Sequence, residues 1–174
     1  CELEYRIHGV NIRTGDQFKP EFLKISPNNR IPAIVDSDGP DKKPLPLFES
    51  GAILVYLSEK TGRFLPHDLQ TRYTALQWLM WQMGGVGPMF GQANHVCDYS
   101  VDIIPYEIAR YIYESNRLTA VVDKRLGGTA YLGDADYSIA DMAFFAWNRH
   151  TEHWGDGIAA RHRGGVAELS NGPG

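Results

Sequence analysis

Leu3, Tyr5 and Ile7 are interleaved with Glu4, Arg6 and His8, a period of two that predicts a half-buried strand running on to Val10 or Ile12. After the turn Thr14-Gly15-Asp16, the apolar positions Phe18, Phe22, Leu23 and Ile25 recur at helical spacing, with Pro20 tolerable in a first turn, and predict a short helix ending near Ser26. Ala33 to Val35 and Leu45 to Phe48 read as two short strands across a polar loop rich in Gly, Pro and Asp, which suits a hairpin. From Ser50 the residues Ile53, Leu54 and Leu57 share one helical face, and Thr61-Gly62 closes that helix. The order is strand, helix, strand, strand, helix.

Beyond Phe64-Leu65-Pro66-His67-Asp68 the texture changes to long helices. Leu76, Leu79, Met80 and Met83 predict one helix from about Leu69 to Met83, which Gly84-Gly85-Val86-Gly87-Pro88 is expected to bend or stop. Ile108, Tyr111, Ile112, Leu118, Val122 and Leu126 predict the longest helix, entered at Pro105 and ended at Gly127-Gly128. In Tyr137-Ser138-Ile139-Ala140-Asp141-Met142, Ser138 is spaced to cap a further helix and Asp141 to reach back to the cap's N–H. From about Gly155 the glycines interrupt any helical stripe, and no core is expected from the tail. The organisation read from these patterns is a domain over 1–62, a linker at 63–68, a helical domain over 69–154 and an irregular tail over 155–174.

At 174 residues with 43% hydrophobic content, the chain is long enough to bury a core. A formal charge of −4 argues against nucleic acid as a partner, since phosphate neutralisation needs clustered Lys and Arg. No apolar run approaches a membrane span, so no membrane partner is expected. Cys1 and Cys97 are the two cysteines, without C-x-x-C or metal-type spacing, which suits a reducing, cytoplasmic setting. No metal is expected: His150 and His153 could share a helix face but lack a third ligand. Cys97 reads as an inert, partly buried thiol, because no thiolate-stabilising cation or helix start lies nearby in sequence. The chain opens without Met in what already reads as a strand, and is expected to be a fragment.

The chemistry concentrates between Ser26 and Ala52. Pro27-Asn28-Asn29 is a turn that enters a short strand through Ile31-Pro32, and Leu47-Phe48-Glu49-Ser50 is a strand ending in a residue able to cap the next helix. Free N–H groups at a helix start favour a carboxylate, and Glu49 beside them could pair with an ammonium, so a zwitterionic amino acid is provided for.

These residues, together with Thr14-Gly15-Asp16-Gln17-Phe18 and Pro20-Glu21-Phe22, resemble the cytosolic glutathione transferases, and within them the Nu class of bacterial and fungal glutathione-dependent disulfide-bond oxidoreductases. The Ser138/Asp141 capping box is a second point of resemblance, and the likeness runs from Glu2 to about Trp154. It implies an α+β fold: a thioredoxin-like N-terminal domain whose first strand and helix are missing, followed by an all-α domain. It implies glutathione as co-substrate, with Ile31 before a cis Pro32 pairing its backbone to the cysteinyl part. Glu49 and Ser50 would grip the γ-glutamyl end, Gln17 the glycyl end, and Arg110 would reach the ligand across a homodimer interface. Arg30 and Asn28 are weaker candidates for the same carboxylate. The sulfur-activating Thr and Asn of the class are expected upstream of Cys1, which leaves the catalytic residue unassigned. The implied activity is conjugation of glutathione to small electrophiles or reduction of disulfides with glutathione. The alternative is a non-catalytic binding or regulatory module.

The run Gly84 to His95 is not a phosphate loop, having no preceding strand and no following Lys-Ser/Thr; its glycines suit close helix approach. Trp78, Trp81, Met83, Met89 and Phe90 around it read mostly as core.

Overall fold

The computed structural model describes residues 1–148, in two compact units divided at Leu65–Pro66. The tail and His150, His153 and Trp154 lie outside the described residues.

In the first unit, a 3₁₀ turn (Asp16–Phe18) leads into the one-turn helix α1 (Pro20–Leu23). Strands β1 (Ala33–Asp36) and β2 (Leu45–Phe48) form an antiparallel hairpin in the register Ala33↔Phe48 to Asp36↔Leu45. Helix α2 (Ser50–Thr61) follows and packs on both strands, burying Gly51, Ile53 and Ser58. Gly62 ends it in the left-handed conformation at φ 66°, the expected use of a residue without Cβ.

The alternation at Leu3, Tyr5 and Ile7 does not make a strand. Residues 1–10 carry no regular structure, and Tyr5 and Ile7 are 83% and 80% exposed. A strand is held by ladder bonds to a neighbour, and the sheet described here contains β1 and β2 alone. The predicted first helix is likewise shorter than its spacing suggested, with Phe18 left exposed.

The second unit is all helical. Helix α3 (Leu69–Trp81) is capped by Asp68, whose carboxylate accepts from the N–H and hydroxyl of Thr71, both at 3.0 Å. These bonds hold the Asp68 carboxyl below its ordinary pKa, the backbone bond contributing most. The Gly84–Pro88 run does not stop the helix. A π turn (Gln82–Val86) carries the helix into α4 (Gly87–Asn94), and a second π turn (His95–Tyr99) follows. The wider π turn absorbs residues that would break a regular α-helix. A Cβ added at Gly85 would sit 3.6 Å from Leu118, and one at Gly91 3.5 Å from Trp147, so these glycines admit close packing by the two later helices.

Helix α5 (Pro105–Leu126) has the bounds its stripe predicts, and α6 (Ile139–Asn148) follows the capping box. The core joins Val86, Phe90, Ala93 and Leu118, ringed by Trp81, Met89, Ile112, Phe144 and Trp147. Cys97 is buried beside Val96 and Ile108. On α3 the buried positions are Ala75 and Leu79, whereas Met80 is 57% exposed: the core-facing stripe is rotated from the one the larger side chains suggested.

Candidate functional site

The candidate site occupies one end of the hairpin in the first unit. The chain passes from β2 into α2 with a single residue between them, so Glu49 alone makes the turn, at φ 69° and ψ 113°. A non-glycine residue there is held against its steric preference, as happens where a site needs an unusual backbone. Because the Glu49 carbonyl accepts the first helical bond, from Ile53 N–H at 3.0 Å, Glu49 is the cap residue and Ser50 the first residue of the helix. This corrects the expectation that Ser50 caps α2: the tight strand-to-helix passage moves the cap one position upstream. Glu49 makes no side-chain capping bond, so its exposed carboxylate is not spent on the helix start, and the positive end of the α2 dipole lies beside it.

The ladder ends at Ala33↔Phe48, so Ile31 and Pro32 lead into its last pair from one side and Glu49 and Ser50 lead away from it on the other. The Ile31–Pro32 peptide bond is cis, and Ile31 is 52% exposed. Among the described residues, neither the N–H nor the C=O of Ile31 makes a hydrogen bond. An exposed pair of this kind can hydrogen-bond an extended peptide as a neighbouring strand would.

Upstream, the loop Ser26–Arg30 is closed around Ser26, which is fully buried. Its hydroxyl donates to Arg30 C=O at 2.8 Å and accepts from Arg30 N–H at 3.3 Å, while its carbonyl accepts from Asn29 N–H at 2.9 Å. The residue types implied by resemblance did not single out Ser26; Ser before Pro-Asn-Asn is a recognisable hydroxyl-turn signal.

At the far end of the hairpin, Asp36 Oδ2 accepts from Tyr56 Oη at 2.7 Å and from Lys60 Nζ at 2.5 Å, and Lys60 also donates to Asp38 C=O. The Lys60 ammonium, then the Tyr56 hydroxyl, lowers the Asp36 carboxyl to about 2, and the same carboxylate raises the pKa of both partners. This cluster ties β1 to α2.

Gln17 lies in the 3₁₀ turn Asp16–Phe18; its Nε2 donates to Ile12 C=O at 3.3 Å and its Oε1 is buried without a partner. Arg30 donates to Asn29 Oδ1, and Asn28 is exposed. Arg110 belongs to the second unit, exposed on α5 between the open side chains of Tyr106 and Tyr113 and one turn before Glu114. Ser138 and Asp141 form the reciprocal cap of α6. Asp141 Oδ2 accepts from the Ser138 N–H at 2.9 Å and hydroxyl at 2.8 Å, and its Oδ1 accepts from Leu132 N–H at 2.8 Å, a tie the spacing did not predict. No cluster of metal-ligating side chains occurs among the described residues.

Comparison with known proteins gives consistent results. Residues 1–60 match the family model described as glutathione S-transferase, N-terminal domain. The disulfide-bond oxidoreductase YfcG of Escherichia coli is 54% identical over 148 residues, which cover 84% of this chain and 69% of that protein. Among solved structures, a glutathione transferase from Burkholderia graminis with two glutathione molecules bound per subunit superposes with a TM-score of 0.85 at 44% identity, covering 98% of this chain and 75% of that one. A Pseudomonas putida glutathione transferase with one glutathione disulfide bound per subunit gives 0.82 at 41%, covering 99% and 82%. The fold is thus the thioredoxin-like unit plus helical domain of these proteins.

Proposed function

The chain belongs to the glutathione S-transferase family, and from that premise we propose that it is a glutathione-dependent enzyme that reduces disulfides, with conjugation of glutathione to small electrophiles as its second activity. The observation that carries the reading is the unbonded backbone of Ile31 before a cis Pro32, at the end of the hairpin where β2 runs into the Glu49–Ser50 start of α2. In this reading glutathione adds as a short antiparallel strand: the cysteinyl N–H and C=O pair with Ile31. The γ-glutamyl ammonium meets the Glu49 carboxylate, and the γ-glutamyl carboxylate meets the first-turn N–H groups of α2. Gln17 is the proposed contact for the glycyl end. The first unit is the glutathione-binding domain and the second the helical domain.

Disulfide reduction consumes two glutathiones. The first, as thiolate, attacks one sulfur of the substrate, forming a mixed disulfide and expelling one thiolate, which takes up a proton. The second attacks the glutathione sulfur of the mixed disulfide, releasing the other substrate thiol and glutathione disulfide. The described residues bind and orient the peptide, so that its thiol is presented in one place. The relative named a disulfide-bond oxidoreductase favours this reaction, and the neighbours named glutathione transferases favour conjugation as the second.

A cytoplasmic homodimer is part of the proposal. No helix of the described residues is long and apolar enough to cross a membrane. The α5 face carrying Arg110 leaves Tyr106 and Tyr113 72% and 74% exposed, apolar surface of the kind a second copy covers. Retention on glutathione resin and glutathione-dependent reduction of 2-hydroxyethyl disulfide test the function. Retention without turnover of a disulfide or a chlorinated aromatic would favour the non-catalytic module. Light scattering after size exclusion tests the dimer.

A further inference from the structure

Ser26 is a small polar residue with no exposed surface, seven positions before the hairpin begins at Ala33. A buried hydroxyl normally spends its bonds on the nearest helix turn or on a distant partner. Ser26 instead spends both on one residue, donating to Arg30 C=O at 2.8 Å and accepting from Arg30 N–H at 3.3 Å. Its main chain is engaged too, the N–H donating to Phe22 C=O and the C=O accepting from Asn29 N–H, both at 2.9 Å. The loop Pro27–Asn29 is thereby closed on itself, with Asn29 in the left-handed region at φ 50°.

The consequence for Ile31 follows from the planarity of one peptide group. The Arg30–Ile31 bond is trans, so the Arg30 C=O and the Ile31 N–H lie in one plane and point in opposite directions. Since Ser26 draws the carbonyl inward to a fully buried position, the Ile31 N–H is turned away from it, and it makes no hydrogen bond among the described residues. Among the described residues no other hydrogen bond fixes that plane: the hairpin ladder begins only at Ala33, two residues on. Resting on the glutathione reading above, we propose that Ser26 is a positioning residue, which sets the backbone donor of Ile31 for the cysteinyl part of glutathione without touching the ligand. A pre-set donor spares the ligand the ordering of a loose loop, so the effect belongs in affinity for glutathione.

A role confined to stability would weaken every ligand alike, whereas positioning of Ile31 must couple to the pairing that Ile31 makes. The test is a cycle between Ser26→Ala and a change in the ligand, using the full chain, with glutathione and its analogue in which an (E)-alkene replaces the Cys–Gly peptide bond, which removes the cysteinyl C=O that accepts from the Ile31 N–H. Ligand-observed NMR at millimolar concentration reads both dissociation constants. The expected result is that Ser26→Ala weakens glutathione about tenfold and the alkene analogue less than twofold, with Ser26→Thr recovering most of the loss. Ser26→Cys keeps the volume while weakening both bonds, and carries the same cycle if the alanine variant does not fold. Equal weakening of both ligands, or wild-type protein that binds the two equally well, overturns the positioning role and leaves the glutathione reading standing. Wild-type protein that binds no glutathione overturns the reading and this inference with it.

Discussion

Replacement of Asp141 by Ala probes how the second unit is held together. The carboxylate accepts three hydrogen bonds, from the Ser138 N–H, the Ser138 hydroxyl and Leu132 N–H, at 2.9, 2.8 and 2.8 Å. Ser138 and Leu132 are 2% and 1% exposed, so water does not replace the lost acceptor. Loss of the reciprocal cap costs about 1 kcal/mol. An orphaned buried N–H at Leu132 adds about 1–3 kcal/mol, for an expected total of about 2–4 kcal/mol. Urea unfolding followed by tryptophan fluorescence reads this as a lower midpoint at unchanged slope. Asp141→Asn keeps a carbonyl acceptor for one side and should fall between Ala and wild type. Ser138→Ala removes only the hydroxyl and should cost about 1 kcal/mol. The double variant should cost less than the sum of the singles, because they share a bond. A loss below about 0.5 kcal/mol for Asp141→Ala would refute the reasoning, as would a loss no larger than that of Ser138→Ala.

Three further outcomes are expected. Glu49→Gly relieves a backbone conformation at φ 69° and should raise the melting temperature, while weakening retention on glutathione resin at least tenfold by removing the proposed ammonium partner. Gly133→Ala would place a Cβ 2.7 Å from Ser138 Oγ and should destabilise by about 2 kcal/mol, whereas Gly91→Ala meets Trp147 at an ordinary 3.5 Å and should be neutral or stabilising by thermal melting. In acid, the Asp36 carboxyl titrates at about 2 in the folded chain against 3.8 unfolded, so its contribution is complete above pH 4 and fades as pH falls from 4 to 2. The shift corresponds to at most about 2.4 kcal/mol, which partial exposure of the Asp36–Lys60 pair reduces to about 1 kcal/mol. Asp36→Asn should remove that part of the pH dependence, and an unchanged acid-unfolding curve would argue that the cluster contributes nothing.

Much of the molecule is legible in local pattern because local pattern is what sets it. The stripe from Ile108 to Leu126, with Pro105 in front and Gly127-Gly128 behind, contains the information for α5, since a 3.6-residue period and its breakers need no distant partner to act. The hairpin, the left-handed Gly62 and the Ser138–Asp141 cap are similarly encoded within a few residues. The residues of the candidate site came from resemblance to a family rather than from periodicity; four of them flank the Ala33↔Phe48 end of the hairpin ladder.

What local pattern could not decide is whatever depends on a partner far along the chain. The alternation at Leu3, Tyr5 and Ile7 is a strand signal, but a strand exists only when another supplies its ladder, and none described here does. The glycines at 84–87 read as a break, yet packing by α5 and α6 holds that run helical as a π turn. The cap of α2 falls on Glu49 rather than Ser50 because β2 and α2 meet without a loop, a constraint of where the two elements pack. By itself the sequence determined which residues make helices, turns and caps, through short-range sterics and hydrogen bonding. Only the tertiary structure decided which backbone groups stay unbonded at the hairpin edge, because that is settled by what each group meets across space.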